Sequence, residues 1–257
     1  MRDDKPMSVQ TGTKRKEGGF AETVRVVFHA LIIALVIRTF LFQPFNIPSG
    51  SMIPTLLVGD YLFVSKYSFG YTHYSFPFSP DVFSGRHPAN WLPKRGDVVV
   101  FRLPKDDSID YIKRVIGLPG DRIQMIDGVL NINDVPVPRQ RIDDFVTDDD
   151  GVVQRVKQFR ETLPDGVSYN TLDLTDNGFY DNTPVYTVPP GNFFMMGDNR
   201  DNSTDSRVLS AVGYVPAENL IGRAQLIFFS IREGTHAWEV WRWPWAVRWE
   251  RLFTLVR

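Results

Sequence analysis

Apolar positions form one long run near the start of the chain and many shorter runs after it. The long run is VVFHALIIALVIRTFLF, Val26 to Phe42, and with its flanking residues it reaches the ~20 residues of a bilayer span. His29 and Arg38 interrupt it, and Arg38 is close enough to one end to extend its charge to the membrane surface. The pattern predicts a transmembrane anchor at 21–43. A buried helix of a soluble protein and a cleaved secretory signal are the alternatives.

The charges around this run predict its orientation. Residues 1–20 are polar and predict a tail, with Lys14, Arg15 and Lys16 near its end, whereas the chain after the run has no Lys or Arg until Lys66. An excess of basic residues marks the cytoplasmic side, so we expect the N-terminus in the cytoplasm and residues 44–257 outside it. No A-x-A motif follows the run, which favours an uncleaved anchor over a signal sequence.

Beyond the anchor the apolar residues occur in short β-branched and aromatic runs bounded by Gly, Pro, Asn or Asp. These runs are DYLFVSKYSF, GDVVVFRL, DYIKRVIGL, DRIQMIDGVLNIND and LIGRAQLIFFSI. Asp127-Gly128 lies between two apolar stretches and predicts a hairpin turn. We therefore expect a mainly β protein with an antiparallel sheet, preceded by one N-terminal transmembrane helix.

Three stretches depart from the β pattern. Residues 68–94 are rich in aromatic residues and proline and predict a long loop, while residues 139–186 are polar and acidic and predict a smaller inserted subdomain. The C-terminal HAWEVWRWPWAVRWERLF holds five of the six tryptophans among Arg and Glu. Trp together with Arg is typical of a membrane interface, but packing of the tryptophans on the sheet explains the pattern equally well.

Composition narrows the chemistry. A hydrophobic fraction of 43% and a charged fraction of 23% are ordinary for a globular protein, and a net charge of −1 gives no indication of a nucleic-acid partner. The absence of cysteine excludes thiol catalysis and cysteine-ligated metals. The four histidines form no HExxH motif, and no Gly-rich phosphate loop is present, so we expect no metal and no cofactor. A Ser-His-Asp triad from distant residues stays open.

A short polar turn follows the anchor in IPSGSMIPTL. Ser49 and Ser51 flank Gly50, which permits a turn or a close approach of the backbone. A serine in such a turn is a candidate nucleophile, with backbone N–H groups near it for an oxyanion. The alternative is an ordinary surface turn, and the choice depends on whether the chain offers a base.

The candidate base lies in SIDYIKRVIG. Strand alternation makes Lys113 the only charge on a row with Ile109, Tyr111 and Val115. Desolvation lowers the pKa of a lysine in such a place, and the neutral amine is a general base. A lysine whose stem packs while its head reaches water is the alternative. The opposite row carries Asp110, Ile112, Arg114 and Ile116, which gives Arg114 an acid on its own face.

A polar stretch, FFMMGDNRDNSTDSR, spans Phe193 to Arg207. It has neither the glycine nor the terminal glutamate of an EF-hand loop, so a calcium site is not expected. Its hydroxyls and the charges of Asp205 and Arg207 are suited to bracing a site, and a hydrogen-bonded surface turn is the alternative.

PSGSMIPTL, RGDVVVFRL, DYIKRVIGLPGD and GDNRDNSTDSR, in this order behind an anchor, resemble the motifs of bacterial type I signal peptidases. The resemblance extends from about Ala21 to Phe229. It implies a membrane-anchored serine endopeptidase with a mainly β-sheet catalytic domain. Such an enzyme removes N-terminal signal peptides from secreted preproteins at the outer face of the cytoplasmic (inner) membrane. The implied partners are preprotein signal peptides and the lipid bilayer; the oligomeric state stays open.

The resemblance also implies a role for individual residues. Ser51 falls on the nucleophile, Lys113 on the general base, and Ser49 on the hydroxyl that joins the Ser51 N–H in the oxyanion hole. Ser203 falls on the hydroxyl that orients the lysine. A buttressing ion pair is implied for Asp205 and Arg207, and shallow pockets for small side chains at −1 and −3 are implied for Phe45, Ile47, Pro48, Met52, Val100, Tyr111 and Ile112.

One departure from the family concerns the loop after Arg207, where VLSAV precedes Gly213-Tyr214. Its conformation is not predicted. Two other functions stay open at this point. One is a specialised Ser–Lys processing peptidase of a conjugation or secretion system, or a self-cleaving protein. The other is a non-catalytic anchored β-domain that binds peptides.

Overall fold

The computed structural model describes residues 19–76, 79, 85–88, 90–149, 152–236 and 238–257. The predicted tail at 1–20 therefore lies almost wholly outside the described residues, and the predicted loop at 68–94 lies partly outside them. Within that loop, His73–Ser75 form a short 3-10 turn, and Tyr71 and His87 form an isolated bridge.

The anchor is a continuous helix that leaves the folded part of the molecule. Helix α1 spans Phe20–Val36 with no buried residue, and a π-helical turn continues it through Ile37–Leu41. The segment Phe20–Leu41 has 22 residues, and its most apolar stretch of 18 residues has a mean hydropathy of 2.1, which is sufficient to cross a bilayer. A core helix of a soluble protein would be buried, whereas only 6% of this one is. The next strand begins at Phe42, so the helix leads directly into the sheet.

Most of the remaining chain is β-strand. In chain order the strands are β1 (Phe42–Asn46), β2 (Asp60–Ser65), β3 (Val98–Leu103), β4 (Asp106–Gly117), β5 (Arg122–Ile126), β6 (Val129–Ile132), β7 (Val135–Pro136), β8 (Arg139–Asp149), β9 (Val152–Thr162), β10 (Ser168–Asp173), β11 (Tyr186–Thr187), β12 (Asn192–Met196), β13 (Val215–Pro216), β14 (Leu220–Ser230) and β15 (Thr254–Leu255). A short helix, α2, spans Trp243–Ala246.

The main sheet has the order β1-β2-β14-β3-β4-β12-β13, with β15 paired to β14. All of its strand pairs are antiparallel. The five apolar runs of the sequence contribute its central strands and the β5–β6 hairpin. The prediction of a mainly antiparallel β protein behind an N-terminal apolar helix is thus confirmed.

The hairpin predicted at Asp127-Gly128 joins β5 to β6. Asp127 has a φ of 47° and Gly128 a φ of 73°, the pair of positive values that a tight two-residue hairpin turn requires. This hairpin belongs to a second sheet of order β11-β5-β6-β7.

The region at 139–186 contains a third sheet, of order β10-β9-β8. This sheet is not hydrogen-bonded to the strands of the main sheet, but the region shares a hydrophobic core with them. Leu163 and Tyr169 pack in one buried cluster with Ile116 of β4 and Phe194 of β12. The region at 139–186 therefore packs against β4 and β12. We refer to the β10-β9-β8 sheet, after the predicted insertion, as the inserted sheet.

The C-terminal tryptophans divide between the two interpretations of the sequence. Trp243 lies 5.1 Å from the ring of Phe229, centroid to centroid, and packs on the main sheet. Trp238, Trp241 and Trp245 are each about two-thirds exposed or more. Contact of these exposed indoles with lipid stays a prediction.

Candidate active site

Ser51 and Lys113 meet in the folded chain although 62 residues separate them. Ser51 lies in the one-turn helix Gly50–Met52, which starts from extended backbone at Ser49. Lys113 lies in β4, and its Nζ donates a hydrogen bond of 2.6 Å to Ser51 Oγ and one of 3.1 Å to the carbonyl of Ile112. Ser51 is 8% exposed and Lys113 is 4% exposed. The alternative of a lysine whose head reaches water is therefore wrong.

The charge state of Lys113 follows from this burial. Burial lowers the pKa of the Lys113 ammonium from 10.5 to about 8, because desolvation outweighs the opposing effect of the carboxylates of Asp205 and Asp198. Arg207 lowers the same pKa further. A neutral amine is therefore accessible at mildly alkaline pH, directly against a serine hydroxyl.

Two cavities meet at this pair. The larger, of about 350 Å³, is lined mainly by polar side chains: Ser49, Ser51, Lys113, Tyr180, Asp201, Asn202, Ser203 and Thr204, with Gly50 and Tyr111. The smaller, of about 250 Å³, extends toward β1 and is more apolar. Ser49, Tyr111 and Lys113 line both cavities, so the two cavities adjoin beside the Ser51–Lys113 pair.

The smaller cavity contains six of the seven residues predicted to form shallow pockets: Phe45, Ile47, Pro48, Val100, Tyr111 and Ile112. Met52 differs. Its side chain is fully buried in the core cluster with Leu56 and Leu62, and it lines neither cavity. The turn that carries Ser51 is thus anchored in the core through the next side chain.

The two remaining predicted hydroxyls lie near the pair. Ser49 is exposed and lines both cavities. Ser203 is 6% exposed and lines the larger cavity. No hydrogen bond joins it to Lys113, so the role in orienting the lysine stays a prediction.

Asp205 and Arg207 form a two-point ion pair inside the protein. Arg207 Nε lies 2.9 Å from Asp205 Oδ1, and Arg207 Nη2 lies 2.8 Å from Asp205 Oδ2. The Gly197 N–H also donates to Oδ2, at 3.0 Å. Burial alone would raise the pKa of Asp205, but the guanidinium of Arg207 and these hydrogen bonds hold it below its ordinary value. Both charges are therefore present next to Lys113, and they act on its pKa in opposite directions.

A second buried pair was not identified from the sequence. Arg114 binds Asp198, with Nε–Oδ1 at 2.8 Å and Nη2–Oδ2 at 2.7 Å. The acid expected beside Arg114 was Asp110, which instead faces Arg102 at 3.3 Å. Four residues along a strand span roughly 13 Å, too far for a direct contact. The clue available in the sequence was an arginine among the apolar residues of a strand. If such an arginine is buried, it needs an acid, which another segment can supply.

A third contact ties the nucleophile turn to the polar stretch. Asn199 donates from Nδ2 to the carbonyl of Gly50 at 3.0 Å and from its backbone N–H to the carbonyl of Ser51 at 3.1 Å. No motif pointed to this residue, since an Asn in DNRDN is equally typical of a surface turn. Among the described residues, no group of three His, Asp or Glu side chains is placed to hold a metal.

The fold and the site together define a membrane-anchored antiparallel β protein in which the Ser51 hydroxyl is hydrogen-bonded to the buried Lys113 amine. The family model described as "Signal peptidase, peptidase S26" matches residues 20–229. Signal peptidase I of Rickettsia typhi is 48% identical over 211 residues, covering 79% of this chain and 77% of that one. Signal peptidase I of Rickettsia conorii is 45% identical over 242 residues, covering 90% and 86%.

A solved structure of a signal peptidase I from Enterococcus faecalis is 26% identical, with a TM-score of 0.30, and covers 51% of this chain and 96% of that one. The family match and the Rickettsia relatives span most of the chain. The chain belongs to the bacterial type I signal peptidases, membrane-anchored serine endopeptidases of peptidase family S26.

Proposed function

We propose that this signal peptidase works through a Ser51–Lys113 dyad. The observation that supports the proposal is the 2.6 Å contact between Lys113 Nζ and Ser51 Oγ in a buried setting. A lysine with a pKa of about 8 is close to the operating range that general-base catalysis needs. A dyad of this kind performs acyl transfer without histidine.

In the proposed reaction the neutral Lys113 amine takes the proton of Ser51 as Oγ attacks the carbonyl carbon of the −1 residue. The carbonyl oxygen becomes an oxyanion, which the Ser49 hydroxyl and the Ser51 N–H stabilise. A single donor of this type contributes roughly 2.7–4 kcal/mol in comparable sites. The C–N bond then breaks, and the Lys113 ammonium returns its proton to the leaving amine, which becomes the N-terminus of the mature protein.

The same groups hydrolyse the acyl-enzyme, the ester between the signal peptide and Ser51. Lys113, neutral again, takes a proton from a water molecule that attacks the ester carbonyl. The tetrahedral intermediate collapses, the C–Oγ bond breaks, and Ser51 recovers its proton from the lysine. The signal peptide leaves with a new carboxylate. Every proton in this cycle passes through one buried amine, so the rate follows its protonation state.

The smaller cavity is the proposed site for the residues before the cut. Its volume of about 250 Å³ and its lining by Phe45, Ile47, Pro48 and Val100 suit small apolar side chains at −1 and −3. It opens toward β1, the strand that continues from the anchor. The hydrophobic part of a signal peptide lies in the bilayer, so its C-terminal end reaches the dyad from the anchor side. We propose that the catalytic part lies outside the cytoplasm, as the basic tail predicts.

The test uses the full chain in detergent and a preprotein with alanine at −1 and −3, with sequencing of the product's new N-terminus. We expect one cut after the −1 alanine, and none with Ser51→Ala. Ser108→Ala, which removes an exposed serine of β4, is the matched control and should cut normally. Equal cleavage by Ser51→Ala would overturn the proposed nucleophile. Tight binding without any cleavage by the wild type would favour the peptide-binding alternative.

A further inference from the structure

We propose that Asn199 is a positioning residue for the nucleophile. It holds two consecutive carbonyls of the turn that carries Ser51 and so sets the distance between Ser51 Oγ and the Lys113 amine. This inference rests on the proposed Ser–Lys mechanism. It requires no contact between Asn199 and the substrate.

The turn that carries Ser51 is closed by a single hydrogen bond of its own. The helix Gly50–Met52 is a single turn, and its own closing hydrogen bond, Ile53 N–H to Gly50 O, is 3.2 Å long. Asn199 adds one bond to the same Gly50 carbonyl and one to the Ser51 carbonyl. Asn199 is 5% exposed, so water is poorly placed to replace these donors.

Asn199 is itself held by the residues on both sides of it in the chain. Asp198, the residue before it, binds Arg114, which is the residue after Lys113 in β4. Arg200, the residue after it, binds Glu161 of β9 with Nη1–Oε1 at 2.9 Å. Three consecutive side chains thus connect the strand of the base, the turn of the nucleophile and the inserted sheet.

The inserted sheet also holds this segment through its backbone. The Leu172 N–H donates to the Asp198 carbonyl at 2.9 Å, and the Arg200 N–H donates to the Leu172 carbonyl at 3.0 Å. These two bonds bracket Asn199, which pairs with Leu172 in a parallel bridge. The inserted sheet therefore supplies the rigid support from which Asn199 reaches the turn, and this gives the region at 139–186 a role in the site.

The Asn199 side-chain amide makes its hydrogen bond through the nitrogen. Asn199 Oδ1 is buried and has no hydrogen-bond partner among the described residues, so the side chain is used for its N–H donor alone. The backbone of Gly197 also lies close to the Ser51 carbonyl. A Cβ on Gly197 would lie 2.5 Å from the Ser51 carbonyl oxygen, the oxygen that Asn199 N–H binds. The Ser51 carbonyl thus lies in a tightly defined place between two neighbours.

Loss of the amide has two expected consequences. The Ser51 hydroxyl moves relative to Lys113, which lowers kcat, since a displacement of about 1 Å can reduce a rate roughly 100-fold. KM stays nearly constant, because the smaller cavity is lined mainly by β1, β3 and β4. A looser turn also admits water to the lysine, so the pKa of Lys113 rises and the acid limb of the rate profile moves to higher pH.

The experiment compares Asn199→Ala with Asn219→Ala in the full chain, on the preprotein with alanine at −1 and −3. Asn219 is a matched control, because its Nδ2 also donates to a distant backbone carbonyl, that of Arg102, at 3.0 Å, and it is 6% exposed. We expect a similar loss of thermal stability in both variants. Only Asn199→Ala should lose kcat, by about 30- to 100-fold, with KM within about twofold and the acid limb displaced upward.

Asn199→Asp serves as the second variant, because it keeps the volume but replaces the donor with an acceptor. It should lose at least as much kcat as Asn199→Ala. The inference is overturned if either Asn199 variant keeps the wild-type kcat and acid limb, or if Asn219→Ala loses kcat equally. If Ser51→Ala loses cleavage but Asn199→Ala keeps the wild-type kcat, the positioning role of Asn199 is wrong and the proposed function stands. Cleavage that persists in Ser51→Ala would instead contradict the proposed function.

Discussion

Arg114 and Asp198 form a two-point ion pair whose side chains are 0% and 1% exposed. The guanidinium carbon of Arg114 also lies 4.2 Å above the ring of Tyr169 in the inserted sheet. Because Arg114 follows Lys113 and Asp198 precedes Asn199, this pair joins the strand of the base to the segment that contacts the nucleophile turn. Its geometry therefore bears on both stability and catalysis.

Arg114→Lys should destabilise the protein by roughly 3–5 kcal/mol, because an ammonium cannot make the two-point contact and leaves a buried charge poorly paired. Chemical unfolding of the purified protein measures this. Arg122→Lys is the control, since Arg122 and Asp134 form a pair of 2.8 Å with side chains 51% and 62% exposed. That change should cost at most about 1 kcal/mol. Equal effects of the two substitutions would contradict the account.

Gly197→Ala should reduce kcat by about 100-fold or more. The new methyl group would overlap Ser203 Oγ and approach the Ser51 carbonyl oxygen to 2.5 Å, so the nucleophile turn must move. Steady-state kinetics on the preprotein measures the effect. Gly19→Ala, where a Cβ meets nothing within 4 Å, should keep the wild-type kcat. A fully active Gly197→Ala would mean that the turn tolerates the displacement.

Lys113→Met should be inactive yet more stable than the wild type at neutral pH. The folded wild type has a Lys113 pKa of about 8 against 10.5 unfolded, so below pH 8 it bears the full cost of a buried ammonium. That cost is about 3 kcal/mol for a shift of this size. Between pH 8 and pH 10.5 the unfolded wild type binds more protons, so its stability rises with pH toward that of the variant.

Urea unfolding of both proteins between pH 7 and pH 10.5 measures this difference. Burial also lowers the pKa of Lys66 to about 8, but Lys66 is present in both proteins and its effect cancels. A stability difference that is constant with pH, or that grows above pH 8, would show that Lys113 is not buried as an ammonium below its pKa.

Deletion of residues 2–36 should separate anchoring from chemistry. The deletion removes α1, which is most of the membrane-spanning segment, but keeps Thr39, Phe40 and Leu41, which contact the folded part of the chain. On a short soluble peptide, kcat/KM should stay within about twofold. On a preprotein in vesicles it should fall at least about tenfold, because the anchor raises the local concentration of enzyme at the substrate. A similar loss on both substrates would indicate that the helix supports the fold instead.

The strands could be predicted because their signals are local, and the meeting of Ser51 with Lys113 because of the family resemblance. Runs of β-branched residues between turn residues predict strands, and a single lysine on an apolar row predicts a buried amine. The resemblance then placed Ser51 opposite it, and the structure joins the two at 2.6 Å. The strands need only the sequence near each residue, whereas the pairing of Ser51 with Lys113 needed four motifs in order between about Ala21 and Phe229.

The contacts of Asp198 and Asn199 could not be predicted, because they join residues 84 and 149 positions apart. Asp and Asn in such a stretch are equally common in exposed turns, and only the fold brings them to Arg114 and Gly50. Met52 shows the same limit. Its place in a binding motif predicted a pocket wall, but the direction of its side chain depends on how the turn sits over the core.

The most direct test of the dyad replaces the lysine amine by one of different basicity. The chain contains no cysteine, so Lys113→Cys creates a single thiol, which can be aminoethylated in the unfolded protein before refolding. The product restores an amine at this position with a lower intrinsic pKa. We predict that Lys113→Cys is inactive, that aminoethylation restores cleavage, and that the acid limb, near pH 8 in the wild type, moves to lower pH. Cleavage by the unmodified Lys113→Cys protein, or a restored enzyme with an unmoved acid limb, would contradict the role of Lys113 as the general base.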